Sequence, residues 1–126
     1  MSTIKVDTLV AADGSSAVTL TKQHAPKVWF ELDGTGPLTV DGSFNVSSAA
    51  DNGTGTYTAN YTNSMNNTNY AILQGVEYTY SGSMVIVTYN ESTKTTGAIR
   101  TLHNAATGAA NVDVPETCGL ISGDLA

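Results

Sequence analysis

Cysteine occurs once, at Cys118, so no disulfide within the chain and no thiolate metal cluster can staple the fold. Charge is scarce. Asp, Glu, Lys and Arg make up 13% of the chain, about half of the usual quarter. Basic residues are scarcer still: Lys5, Lys22, Lys27, Lys94 and Arg100, well separated in sequence. Phosphate binding needs clustered Lys and Arg, so the net charge of −6 argues against a nucleic-acid partner. No apolar run reaches the length of a membrane-spanning helix, and the Met1-Ser2-Thr3-Ile4-Lys5 start carries no apolar signal-peptide core. The expectation is a chain with no membrane insertion. Histidine appears only at His24 and His103, too sparsely for an imidazole metal site.

What fills the 126 residues is Thr, Ser, Asn and Gly, with six Tyr, two Phe, one Trp and many Val interspersed. A disordered chain lacks aromatic and β-branched residues, whereas these types suit a pleated, half-buried surface. Alternation supports strands. Ile4, Val6, Thr8 and Val10 oppose Lys5, Asp7 and Leu9, and Ala17 to Thr21 is a second β-prone run. Val28, Phe30 and Leu32 oppose Trp29 and Glu31. Tyr57, Ala59 and Tyr61 alternate with Thr58, Asn60 and Thr62.

Turn chemistry separates these runs. Asp33-Gly34-Thr35-Gly36-Pro37 and Asp51-Asn52-Gly53-Thr54-Gly55 are dense turn signals, and Asp41-Gly42 reads as a turn between short strands at 38–40 and 44–48. Strands are further expected at 70–73, 76–80, 96–102 and 111–114. Met84 to Tyr89 is the most apolar run, expected as a central strand buried on both sides. Cys118 is expected as a buried structural thiol. No segment carries a helical period with caps.

Strands recurring about every eight to twelve residues imply an all-β fold, an antiparallel β-sandwich or jelly-roll-like domain. Pro26 marks a boundary between an N-terminal extended arm, 1–25, and the sandwich body, 26–126. Chemistry is thinly represented. No nucleophile elbow is present, and Asp13, Asp33, Asp41 and Asp51 sit where turns favour Asp for backbone bonding. Calcium is the best metal candidate, at the two Asp-rich turns, but neither has EF-hand spacing. The expectation is no enzyme, no cofactor and no resident metal.

Two stretches carry a resemblance. The first is Ser2-Thr3-Ile4-Lys5-Val6-Asp7-Thr8-Leu9. The second comprises Val18 to Gln23, then Ala25-Pro26-Lys27-Val28-Trp29 running on to Asp33-Gly34-Thr35-Gly36, Ser43 to Ser48 and Asp51 to Thr58. Over residues 2 to 73 the chain resembles small tail-fibre-like virion proteins of tailed phages, of the marine phage and cyanophage type. Asp33, where Asn is usual in such proteins, and Pro37 are departures.

The resemblance implies a virion location and a homotrimer. The arm is then a particle-attachment segment, with Ile4, Lys5, Val6, Asp7 and Leu9 adding to an exposed sheet edge of another virion protein of capsid or tail. Trp29, opposite the apolar face of its own strand, is a candidate subunit contact together with Phe30. The leading expectation is a fibre-like appendage on head or tail. A capsid decoration (cement) protein is the alternative in the same class. A carbohydrate-binding module recognising a host surface glycan is the alternative in another.

Overall fold

The structure, a computed structural model, describes Gly14 and residues 25–77, 85–89, 93–105 and 110–126. The arm strand over 4–10, the run over 17–21, His24 and the 78–84 stretch lie outside the described residues. The attachment residues Ile4, Lys5, Val6, Asp7 and Leu9 lie there too.

Eight strands follow one another: β1 Val28–Asp33, β2 Thr39–Phe44, β3 Val46–Asp51, β4 Thr56–Tyr61, β5 Ala71–Glu77, β6 Val85–Tyr89, β7 Ala98–Ala105 and β8 Glu116–Ser122. They form two four-stranded antiparallel sheets. The first has the order β2-β1-β8-β5 and the second β3-β4-β7-β6, stacked as a β-sandwich. The alternation read from sequence sets the inward faces. Val28, Phe30 and Leu32 of β1 meet Tyr57, Ala59 and Tyr61 of β4 in one buried cluster with Ile99 and Ile121.

The two sheets are joined at a corner one residue long. Asn45 lies between β2 and β3 with φ of 58°, the one non-glycine residue at positive φ among those described. Asn tolerates this left-handed geometry better than most residues. Its side chain then fastens the corner. Nδ2 donates to the carbonyls of Lys27 at 3.0 Å and Asn63 at 3.1 Å, while Oδ1 accepts from the backbone N–H of Asn63 at 2.7 Å.

Several expectations are corrected. Asp41-Gly42 is no turn: β2 runs through it, and the register jumps from Glu31–Gly42 to Leu32–Val40, so Asp41 is the extra residue of a β-bulge. The apolar run ending at Tyr89 is β6, which among the described strands stands at the edge of its sheet and not at its centre, with Thr88 exposed. The stretch 111–114 makes a single bridge, Asn104 to Asn111, instead of a strand. The expected pair of strands at 70–73 and 76–80 is one strand, β5, as far as Glu77. Gly75 packs flat against Cys118 of β8 rather than breaking it. The stretch from Glu116 to Ser122 is β8, central in the first sheet. Gly119 within it leaves room for the Phe30 ring, which any Cβ there would strike.

Candidate assembly surface

The inward face of the first sheet is core; its outward face is exposed and partly apolar. Register places one large apolar side chain from each strand on that outer face, side by side. Phe44 of β2 pairs with Trp29 of β1, Trp29 with Leu120 of β8, and Leu120 with Leu73 of β5. These four are 56%, 39%, 40% and 69% exposed, so the row is open to water across the full width of the sheet.

One step further along the strands, the next row is Gly42, Glu31, Cys118 and Gly75. Its small residues leave a hollow of about 450 Å³ beside the apolar row, walled by Trp29, Leu73 and Leu120. The Trp29 indole leans over Gly42, where an added Cβ would lie 3.0 Å from the ring. Cys118 is exposed in this hollow, which corrects the expectation of a buried thiol. Odd and even positions of β8 face opposite ways: Thr117, Gly119 and Ile121 point inward, Cys118 and Leu120 outward.

The two residues expected at a subunit contact are separated by the same alternation. Trp29 is on the exposed face. Phe30 is 1% exposed and belongs to the core, so it supports the surface from beneath and offers nothing to a partner. Sequence reasoning missed Phe44, Leu73 and Leu120. Each is an unremarkable apolar residue in its own strand, and only cross-strand register brings them beside Trp29.

The interior holds the polar groups with chemistry. His103 of β7 is fully buried and links the sheets. Its Nδ1 lies 3.1 Å from the Gly55 carbonyl and its Nε2 lies 2.7 Å from Thr117 Oγ1 on β8. The carbonyl can only accept, so Nδ1 carries the proton and Nε2 accepts from the Thr117 hydroxyl. Burial pushes the imidazole pKa below 6.5, against smaller opposing effects of the Gly55 carbonyl and the Asp113 carboxylate. The Tyr57 hydroxyl donates to Asp113 Oδ1 at 2.9 Å, and burial together with that carboxylate pushes its pKa up. His103 and Tyr57 are both closed into the core, their rings 5.3 Å apart.

The two Asp-rich turns are occupied by their own backbones. Asp33 Oδ1 accepts from the Thr35 hydroxyl at 2.6 Å and the Thr35 N–H at 2.7 Å, and these bonds hold its carboxyl below the ordinary 3.8. Asp51 Oδ1 accepts from the Gly53 N–H at 2.8 Å. Among the described residues, no group of three or more His, Cys, Asp and Glu is placed to hold a metal ion. No protein-family model matches the chain, and no curated protein or solved structure matches it.

Proposed function

We propose that this chain is a structural subunit of a phage virion: a fibre-like appendage on head or tail, trimeric, self-assembling through the outer face of its first sheet. The N-terminal arm, through Ile4, Lys5, Val6, Asp7 and Leu9, fastens the assembly to another virion protein. The observation that carries this reading is the continuous row Phe44–Trp29–Leu120–Leu73. Isolated exposed apolar residues are ordinary on a monomer. A contiguous band across a whole sheet marks a surface built for a partner. The sequence resemblance to small phage fibres supplies the kind of partner, further copies of the same chain.

Trp29 is the expected anchor, since large aromatics at the centre of an apolar patch dominate interface energetics. Trp29→Ala is expected to weaken self-association by about 2 kcal/mol or more, roughly thirtyfold in dissociation constant. Light scattering across a dilution series reads this directly. A variant as fully associated as the parent at every concentration overturns the reading.

A decoration (cement) protein clamping capsid subunits is the second reading, since the exposed row Phe44–Trp29–Leu120–Leu73 suits a capsid surface as well as a sister copy. The same face would then meet capsid surface instead of sister copies. Image reconstruction of the virion separates the two, placing the density on the capsid lattice or projecting from head or tail.

A further inference from the structure

The hairpin turn between β3 and β4 sets a carboxylate, a backbone N–H and a polarised side-chain amide side by side. Asn52 is the one asparagine of the chain followed by glycine. Its backbone N–H donates to the Thr56 carbonyl at 2.8 Å, and the Thr56 N–H donates to the Gly53 carbonyl at 2.8 Å, which closes the turn. The Gly53 N–H points at the Asp51 carboxylate, with N 2.8 Å from Oδ1. On the other side, Asn52 Oδ1 accepts from the Thr58 hydroxyl at 2.5 Å. That hydroxyl accepts in turn from Arg100 Nε at 3.1 Å, on the strand paired with it. A guanidinium only donates, so the hydroxyl proton goes to Asn52, and the amide oxygen, not the amide nitrogen, faces Thr58. The charged donor behind the hydroxyl strengthens its pull on that oxygen. Asp51, Asn52 and Gly53 are all exposed, so water reaches the turn.

We propose that this turn is a self-modification site, at which Asn52 cyclises onto Gly53 and is converted to a carboxylate. The Gly53 nitrogen attacks Asn52 Cγ, a near neighbour along the chain that needs no docking. Glycine has no side chain to screen that nitrogen. Asp51 takes the N–H proton as the N–Cγ bond forms. Thr58, backed by Arg100, donates to the amide oxygen as negative charge develops on it. The Cγ–Nδ2 bond then breaks. The proton held by Asp51 passes to the departing nitrogen, which leaves as ammonia, and a succinimide ring remains. Water, the one co-reactant, opens the ring. Addition at the side-chain carbonyl leaves aspartate at this position. Addition at the main-chain carbonyl leaves isoaspartate, with the backbone routed through Cγ. Either product places a new negative charge beside Asp51 and within reach of the Thr58–Arg100 pair. The reaction requires neither the assembly nor the arm.

Peptide mapping by mass spectrometry, with enzymatic methylation of isoaspartate, follows the reaction in the full chain at neutral pH. Folded protein is compared with protein held unfolded in urea, where sequence alone sets the rate. Asn52 is expected to convert about tenfold or more faster in the fold. Asn60 and Asn111, read in the same digest, are expected to stay intact. Asp51→Asn keeps an oxygen that accepts from the Gly53 N–H but removes the base. It is expected to bring the folded rate down to about the unfolded one. Arg100→Gln, outside the turn, is expected to slow the folded protein severalfold and leave the unfolded rate unchanged. Circular dichroism checks that each variant is folded, and where Asp51→Asn is not, Arg100→Gln decides. Conversion no faster in the fold than in urea overturns the proposal, since the bonds to Asn52 then only restrain the turn. So does a folded rate indifferent to these substitutions.

Discussion

At the scale of the residue, His103 shows how a titratable group is used as a fastener. It joins β7 in one sheet to β8 in the other through Thr117, in neutral form, in a site closed to water. In the unfolded chain the imidazole returns to its ordinary pKa near 6.5, above its value in the fold. The unfolded state therefore binds more protons as the pH falls below that value, and stability decreases with it. The His103 contribution is complete above pH 6.5 and is lost progressively below it, toward the lower folded value. Urea midpoints at pH 7.5 and pH 5 are expected to show the loss, and His103→Gln is expected to reduce the difference between them. Nothing in the chain's local pattern points to this role. A lone histidine after a strand is read as bland, and its partner Thr117 sits in a stretch that carries no apolar alternation.

At the scale of the element, the Asn45 corner sets how the two sheets meet. Asn45→Ala places an alanine at φ of 58° and removes the side-chain bonds to Lys27 and Asn63. The expected loss is about 2–3 kcal/mol in urea unfolding. Asn45→Gly loses the same bonds but not the tolerance of positive φ, and is expected to be milder by about 1 kcal/mol.

Legibility divided along the same line. β1 and β4 were plain because Val28, Phe30 and Leu32, then Tyr57, Ala59 and Tyr61, repeat at the strand period with bulky residues. β8 was hidden because its inward residues are Thr117, Gly119 and Ile121, of which only the last looks like core. Thr117 is inward because His103 receives its proton, and Gly119 because Phe30 fills its space. β6 was misplaced because hydrophobicity alone does not say whether one face or two will be covered. Trp29 was legible as an outward aromatic within one strand. Its neighbours were not, since register between strands distant in sequence is fixed by the fold and not by local pattern.

At the scale of the whole molecule, a single thiol can test the proposed assembly. Cys118 lies in the hollow beside the apolar row, and the chain has no other cysteine. Contact between copies over that face, as proposed, would cover the hollow. Maleimide labelling is expected to slow as concentration rises through the association range and to stay fast in Trp29→Ala at every concentration. Labelling equally fast in the assembled parent would show that the copies meet elsewhere.

The strand order also has a bearing on timing. β8 stands between β1 and β5, so Leu120 is the link that turns Phe44–Trp29 on one side and Leu73 on the other into one band. During synthesis β8 is the last of these strands to leave the ribosome. Until it inserts, a nascent chain displays two separate apolar fragments and no continuous patch. If copies assemble through this band, sister chains growing on one message would have little with which to stick to one another prematurely. The proposed recognition would then be available only to molecules whose sandwich is already closed.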